Sequence, residues 1–323
     1  MKQVLSKSPG KVILFGEHAV VYGFPAIASA ISSYSTCLIQ KSIYEGIEIE
    51  LSNYDLSHKI KTPNEFLKQF PEKFKHIGIC LEMFGNKYEI DLRNIKIKLS
   101  SVLYPSSGLG SSASVSVALI KALDSFFNLN LNREDLSNLA FKLEEYVHGT
   151  PSGIDNTVCT YGNMIYYQNK KFEFVKPKSQ FPILITNTNM LHDTKKAITK
   201  IKNLKNKAPS IINAYLNNIG NITNIAKKEI INGDIKQIGD LMNQNQNILE
   251  KLEISNPIIK DITSIALQNG AYGSKLTGAG LGGCVISLGK LNVLERINSI
   301  LRDKGFDGFI TKINETGVQI EQQ

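Results

Sequence analysis

The sequence predicts an α+β fold, because strand-like and helix-like segments both occur and do not alternate regularly along the chain. In the first part, residues 43–51 and 95–99 alternate apolar and polar side chains with a period of two. In the later part, residues 195–251 and 254–268 repeat apolar side chains at helical spacing. Antiparallel strands with a few helices, followed by long helices, are typical of an α+β protein.

The bulk composition indicates a globular protein of two domains. The chain has 323 residues, of which 42% are hydrophobic and 20% are charged, and both fractions are ordinary for globular proteins. We predict one domain over residues 1–182 and a second over residues 183–323. Because no apolar run could span a bilayer and no signal peptide is visible, we expect a cytoplasmic protein without membrane contact.

The charge and the cysteines restrict the class of partner. The formal net charge of +8 suits a protein that binds a nucleotide or an anionic metabolite, and it also suits a nucleic-acid binder. Aromatic residues are not interleaved with the lysines as base-stacking platforms require. We therefore expect a solvated basic surface and no nucleic-acid partner. The four cysteines have no zinc or redox spacing.

A loop rich in glycine and serine joins a strand-like segment to a helix-like one. Small residues let backbone amides approach an anion, and a helix start adds N–H groups and the positive end of the helix dipole. A strand, loop and helix of this kind can cradle a phosphate. The ten residues of this serine-rich loop are Pro105, Ser106, Ser107, Gly108, Leu109, Gly110, Ser111, Ser112, Ala113 and Ser114.

Several types of phosphate loop can be compared with this stretch. A Walker A loop requires a lysine after its second glycine, and none follows Gly110. Gly108, Gly110 and Ala113 satisfy the dinucleotide fingerprint G-x-G-x-x-A. However, a Rossmann strand is buried on both faces, whereas the strand before this loop alternates with lysine. A serine-rich kinase loop and a plain helix N-cap remain as interpretations.

A lysine and a Glu-His pair flank the first apolar strand. Lys11 precedes residues 12–15, and Glu17 and His18 follow them. A lysine held at the mouth of a buried strand can neutralise a phosphate or lower the pKa of a nearby carboxyl group. The alternatives are an edge-strand lysine that prevents aggregation and a turn pair without function.

Two further loops carry candidate residues. Glu144 and His148 lie four apart on one flank of a predicted helix, and Asp155 follows in a loop containing Pro151 and two glycines. Asp155 is thereby accessible, although an Asx-turn would also explain it. Residues 278–283 contain four glycines in six positions, which favours a ligand loop over core packing, with a tight structural turn as the alternative.

Four motifs in chain order resemble the galactokinase, homoserine kinase, mevalonate kinase and phosphomevalonate kinase superfamily. They are G-E-H-A-V-V-Y-G at 16–23, the serine-rich loop, H-G-T-P-S-G-I-D-N at 148–156 and K-L-T-G-A-G at 275–280. Their residues are similar to those of the mevalonate kinase branch. Galactokinases carry a Thr-Asp pair after the first histidine, and this chain does not. Residues 53–74 are mostly polar and are expected to form a loop, and they match no part of the family pattern securely.

The resemblance implies a fold and a reaction. The N-terminal domain would be like ribosomal protein S5 domain 2 and would bind ATP, and the C-terminal domain would be of the ferredoxin-like α+β type. The reaction would be the ATP-dependent phosphorylation of mevalonate to 5-phosphomevalonate in isoprenoid biosynthesis, with Mg²⁺ as cofactor. Members of the family are often dimeric, so a homodimer is a further expectation.

The resemblance also implies roles for single residues. Asp155 matches the residue that takes the proton from the C5 hydroxyl of the substrate, and Lys11 matches the lysine that pairs with it. Ser112 and Glu144 match the Mg²⁺ ligands, and the serine-rich loop matches the ATP-binding loop. The expected substrate contacts are Glu17, His18, Gly278, Ala279 and Gly280.

Two other interpretations remain. A sister kinase acting on phosphomevalonate or homoserine would share the motifs, although a second product phosphate would call for extra basic residues that the motifs do not show. A non-catalytic relative that senses a metabolite would be expected to have lost Lys11, Asp155 or a Mg²⁺ ligand, and all are present.

Overall fold

The protein is described here by a computed structural model that covers residues 2–105, 107–149, 151–190 and 194–321. Within these ranges the chain forms twelve strands in two sheets and ten α-helices. The α+β prediction is confirmed. Ser106, which belongs to the serine-rich loop, lies outside the described residues.

The larger sheet is built mainly from the first third of the chain. Its strands run in the order β12-β1-β2-β5-β3-β4, with the β6–β7 hairpin attached to β2. Neighbouring strands are antiparallel except for β3 and β5, which are parallel. The strands are β1 (Gln3–Phe15), β2 (Ala26–Lys41), β3 (Ile47–Leu51), β4 (Leu56–Ile60), β5 (Ile95–Ser101), β6 (Met164–Gln168), β7 (Lys171–Phe174) and β12 (Gln319–Glu321).

The lysine alternation of β5 has a structural cause. Lys96 and Lys98 point away from the core, and their ammonium groups lie 3.3 Å and 2.7 Å from the carboxylate of Glu50 on β3. The opposite face of β5 buries Ile95, Ile97 and Leu99. The strand is therefore open to water on one side as the sequence predicts, but it belongs to a mixed sheet.

Helices cover the buried face of this sheet. They are α1 (Pro63–Gln69), α2 (Lys75–Tyr88), α3 (Ser111–Phe127), α4 (Arg133–His148) and α5 (Ile154–Tyr161). Residues 53–74, expected to be a polar loop, instead contain β4 and α1. Only a few of their side chains are buried, among them Phe66 and Phe70, which stack one helical turn apart with ring centroids 3.6 Å apart.

The smaller sheet has the order β11-β8-β10-β9, and all its pairs are antiparallel. With the helices between its strands, this is the β-α-β-β-α-β arrangement of ferredoxin-like folds, as expected. Its strands are β8 (Pro182–Asn187), β9 (Gly273–Thr277), β10 (Cys284–Leu288) and β11 (Gly308–Lys312). Its helices are α6 (Thr194–Lys207), α7 (Pro209–Asn232), α8 (Ile235–Lys251), α9 (Pro257–Gln268) and α10 (Leu291–Asp303).

The chain passes between the two sheets twice, between β7 and β8 and again between β11 and β12. The boundary predicted between residues 182 and 183 falls at the start of β8 and stays a prediction. The chain later returns to the larger sheet, where β12 pairs with β1. Among the helices of the described ranges, none has the length and apolar character needed to cross a bilayer.

Candidate active site

A cleft of about 910 Å³ lies where the two sheets meet, and most of the predicted site residues line it. They come from five separate segments of the chain. The predicted residues that line the cleft are Lys11, Glu17, His18, Pro105, Ser107, Gly108, Gly110, Ser111, Ser112, Glu144, Asp155, Gly278 and Ala279. The fold thus brings together residues up to 268 positions apart, from Lys11 to Ala279.

The remaining predicted residues support the cleft from behind. Leu109 and Ala113 are buried in the core, and the Ser114 hydroxyl donates to the Ser8 carbonyl at 2.8 Å. Gly280 has a φ of +76°, and a side chain there would lie 2.4 Å from the Ile254 carbonyl. These residues shape the two loops and do not face the cleft.

The serine-rich loop is fixed to β1 and opens directly into α3. The Lys11 amide donates to the Leu109 carbonyl at 2.9 Å. Helix α3 begins at Ser111 after Gly110, whose φ of +70° suits glycine. The first N–H groups of a helix have no carbonyl partner within it, and Ser111 and Ser112 line the cleft. This end of α3 can therefore bind a phosphate.

Lys11 and Asp155 form an ion pair in the cleft. The Lys11 ammonium lies 3.2 Å from Asp155 Oδ1 and donates to the Gly108 carbonyl at 2.9 Å. The lysine side chain is 3% exposed and that of Asp155 is 31% exposed. Gly110 makes room for the pair, because a side chain there would lie 3.0 Å from Lys11 Cγ and 3.5 Å from Asp155 Oδ2.

Glu144 is a buried carboxyl group next to this pair. Burial and the charge of Asp155 raise the pKa of Glu144 to about 8, while a hydrogen bond from Ser112 and the charge of Lys11 oppose the rise. A carboxylate beside a hydroxyl at a phosphate-binding loop is a hard oxygen donor set, which suits Mg²⁺. The described residues hold no cluster of three or more His, Cys, Asp or Glu side chains able to bind a metal. An ion here would complete its shell with phosphate oxygens and water.

Glu17 and His18 lie where β1 ends. His18 has a φ of +61°, and its Nε2 lies 2.8 Å from the Ala279 carbonyl, so Nε2 carries the proton. Burial lowers the pKa of His18 to about 4, which keeps the ring neutral at pH 7. Glu17 is fully buried, and its carboxylate accepts hydrogen bonds from Lys275 Nζ and, at 3.2 Å, from Asn245 Nδ2.

The serine-rich loop touches the glycine-rich loop of residues 278–283, called the second glycine loop, through its backbone. A side chain on Gly108 would lie 3.0 Å from the Thr277 carbonyl, and one on Gly278 would lie 3.1 Å from Gly108 Cα. Both glycines have positive φ angles, +82° and +80°. The glycines therefore allow a close approach that brings both loops to one side of the cleft.

The far wall of the cleft contains residues that the sequence analysis missed. Tyr54 and Phe74 meet edge to face with ring centroids 4.7 Å apart, and Lys73 Nζ lies 4.2 Å from the Tyr54 centroid. Asn53 and Ser101 hold the end of β3 to the end of β5 through two hydrogen bonds of 2.7 Å and 2.6 Å. The two rings are 20 positions apart, and no local motif links them, so only the folded chain shows this aromatic wall.

Lys275 and Asn245 were also missed as members of the site. The signal for Lys275 in the sequence is its place at the start of the K-L-T-G-A-G motif. The structure shows that the side chains of residues 273–277 are all buried. The buried carboxylate partner of Lys275 lies 258 positions away, so the sequence could not indicate the pairing.

Comparison with known proteins gives a consistent result. Family models described as the GHMP kinases N terminal domain and GHMP kinases C terminal match residues 75–163 and 226–306. The chain is 33% identical to a mevalonate kinase of Pyrococcus horikoshii, with 100% of this chain and 99% of the relative covered. It is 35% identical to one of Methanocaldococcus jannaschii, with 88% and 91% covered.

Solved structures show the same fold. The mevalonate kinase of Methanococcus jannaschii superposes with a TM-score of 0.86 at 29% identity, covering 97% of this chain and 99% of that one. The L. major mevalonate kinase in complex with R-mevalonate has a TM-score of 0.83 at 28% identity, with 96% of both chains covered. A Lactococcus lactis galactokinase at 21% identity, with a TM-score of 0.81 and 98% and 95% covered, shares the fold.

Proposed function

The chain belongs to the GHMP kinases, and we propose that it transfers the terminal phosphoryl group of ATP to the C5 hydroxyl of mevalonate, giving 5-phosphomevalonate for isoprenoid synthesis. The observation that carries the proposal is the Lys11–Asp155 pair beside Ser112 and Glu144 at the start of α3. Mevalonate kinases that align over the whole chain or most of it support the choice of acceptor.

The nucleotide binds along the cleft from the aromatic wall to the serine-rich loop. Tyr54 and Phe74 offer an apolar surface for the planar base. The amides of residues 107–112 and the start of α3 bind the β- and γ-phosphates, because helix starts favour negative charge. Phosphoryl transfer depends on such positioning and charge neutralisation, since its transition state is loose.

Ser112 and Glu144 are the residues that would hold a Mg²⁺ ion. The ion, when bound, neutralises the charge that develops on the transferring phosphoryl group. Glu144 has to give up a proton to serve as a ligand, because its pKa of about 8 leaves it protonated at pH 7. Ser112 keeps the carboxyl group oriented toward the start of α3.

Asp155 accepts the proton of the C5 hydroxyl, and Lys11 supports it. The ammonium 3.2 Å away holds the aspartate in place and adds positive charge near the phosphoryl group. An ordinary carboxylate is a weak base for an alcohol, so the position of Asp155 contributes more than its basicity. His18, Gly278 and Ala279 form the site for the polar end of mevalonate, and Glu17 and Gly280 support it from behind. The neutral His18 presents its ring to the cleft.

The domain roles and the cellular setting complete the proposal. Residues 1–182 bind ATP and carry the catalytic pair, and residues 183–323 supply the second glycine loop. The protein acts in the cytoplasm, without a nucleic-acid or membrane partner. A homodimer is the proposed assembly, which light scattering after gel filtration tests through the mass of the particle.

A coupled ADP-release assay tests the reaction. Mevalonate, phosphomevalonate, homoserine and galactose are offered in parallel with MgATP, and we expect rapid turnover with mevalonate alone. Faster turnover with phosphomevalonate or homoserine would show that the chain is a sister kinase acting on that acceptor. Binding of mevalonate in calorimetry without any ADP release would favour a metabolite sensor.

A further inference from the structure

A line of contacts joins β1 of the larger sheet to β9 of the smaller one, and we call it the β1–β9 seam. Every second residue from Lys275 to Ala279 makes a contact across the seam. The Thr277 hydroxyl accepts from the Ile13 amide at 2.9 Å and donates to the Ile13 carbonyl at 3.0 Å. Lys275 pairs with Glu17, and the Ala279 carbonyl accepts from His18 at 2.8 Å. The seam therefore ends on the two loops predicted to contact the acceptor.

The charged pair of the seam is completely withdrawn from water. The side chains of Lys275 and Glu17 are both 0% exposed. Lys275 Nζ also donates to the Leu276 carbonyl at 2.7 Å, and Asn245 binds the second carboxylate oxygen of Glu17. Burying two charges costs a large desolvation energy, so apolar residues would stabilise the fold at least as well. The stability of the fold alone does not account for the pair.

We propose that Lys275 and Glu17 are positioning residues for the phosphoryl acceptor, a role that rests on the proposed function. Their ion pair fixes the loop that carries His18 against the loop that carries Ala279. His18 and the glycine loop then face the cleft in one fixed arrangement. Glu17 acts on the acceptor through His18, because both of its carboxylate oxygens are already bound inside the protein.

Three variants of the seam test the proposal by steady-state kinetics. Glu17→Gln and Lys275→Met each remove one charge, and the double variant removes both and leaves no buried unpaired charge. We expect the KM for mevalonate to rise at least tenfold in all three, with the KM for ATP within twofold of the parent. Lys121→Met is the matched control, because Lys121 pairs with the buried Asp124 away from the cleft, and its KM values should not change.

A second measurement separates positioning from stability. In ¹⁵N spectra of the imidazoles, the parent His18 should show a protonated Nε2 and a bare Nδ1 at pH 6. The double variant should show averaged tautomers for His18 while its Tm stays within a few degrees of the parent. An unchanged His18 spectrum together with an unchanged KM for mevalonate in the double variant would overturn the proposal.

The remaining outcomes are also decisive. If Lys275→Met and the double variant do not fold, Glu17→Gln decides alone, because glutamine occupies the same volume, and an unchanged KM for mevalonate would then count against the proposal. The parent is assayed first. A parent without mevalonate turnover contradicts the proposed function, while the His18 spectrum still shows whether the ion pair orders the loop.

Discussion

At the residue scale, two carboxyl groups on the same wall of the cleft have different surroundings. Asp155 is partly exposed and pairs with Lys11, whereas Glu144 is buried and has a pKa of about 8. The charge of Asp155 is one cause of the raised pKa of its neighbour. The two groups therefore suit different tasks: Asp155 is held by the lysine at the cleft, and the buried Glu144 is placed to bind a cation beside Ser112.

Asp155→Asn should lower kcat by roughly 10²- to 10⁴-fold, which is the usual contribution of a positioned acid or base. The affinity for ATP should stay within twofold, because the amide keeps the shape of the side chain at the start of α5. Quench-flow kinetics and nucleotide titration measure the two quantities. Asp135→Asn, in the first turn of α4 and outside the cleft, is the control. Turnover equal to the parent would remove Asp155 from the mechanism.

The raised pKa of Glu144 makes binding of MgATP depend on pH. Below about pH 8 the ion must displace the proton of Glu144, so affinity should increase with pH by up to about tenfold per unit. Calorimetry in buffers of different ionisation enthalpy should count close to one more proton released at pH 7 by the parent than by Glu144→Gln. Equal proton counts in the two proteins would show that Glu144 does not bind the ion.

The same group should make the ligand-free protein less stable at high pH. The folded protein keeps the proton of Glu144 up to about pH 8, while the unfolded chain loses it near 4.5. The folded state therefore binds more protons in this window, and stability falls as the pH rises through it. Glu144→Gln should have a higher Tm than the parent at pH 9 and a similar Tm at pH 5. Glu145→Gln on the exposed side of α4 is the control, and a Tm difference that does not depend on pH would contradict the assignment.

At the scale of elements, the sequence predicted the features that lie within one short segment. It did not predict the features that form between segments distant in the chain. The serine-rich loop, Asp155 and the second glycine loop each lie within one short segment, so composition and spacing indicated them. The aromatic wall and the Lys275–Glu17 pair join side chains that are distant in sequence, and their patterns carry no local signal. Residues 53–74 resemble a loop in sequence because the polar residues that face water outnumber the few buried ones.

Polar side chains of helix α8 form hydrogen bonds with the backbone of the edge strand β9 and the residue before it. Asn243 accepts from the Ser274 amide at 3.0 Å and donates to the Tyr272 carbonyl at 3.1 Å, and Gln246 accepts from the Leu276 amide at 3.0 Å. The side chains take the place of a neighbouring strand along the outer edge of β9. The asparagine-rich composition that lowers helix propensity thus satisfies backbone groups that would otherwise be buried without partners.

Asn243→Ala should lower the free energy of unfolding by about 1–3 kcal/mol, the cost of leaving buried backbone groups without partners. Denaturant titration followed by circular dichroism measures it. Asn247→Ala on the exposed side of the same helix changes helix propensity in the same way and should not destabilise the protein. Equal effects of both substitutions would mean that the edge contacts contribute nothing measurable.

At the scale of the whole molecule, the two sheets share a hydrophobic core. Val12 and Ile27 of the larger sheet belong to the same buried cluster as Ile183 and Ile286 of the smaller sheet. The β1–β9 seam and the return of β12 to β1 add polar contacts between the halves. The cleft lies on this shared core, so the positions of Lys11 and Gly278 relative to each other depend on both halves being folded.

This shared core should make the chain unfold in one step. Ile97→Ala removes a buried side chain of the larger sheet that lies outside the shared cluster, and Ile286→Ala removes a buried side chain of the smaller sheet that lies inside it. Each substitution should destabilise the protein by about 2–5 kcal/mol. In differential scanning calorimetry both variants should show a single transition at a lower Tm, with the calorimetric and van't Hoff enthalpies equal. If the halves were independent, each variant would shift one transition and leave a second at the temperature of the parent. Such a split would mean that the cleft is held by loop contacts alone, because only coupled halves can transmit a core defect in one sheet to the other.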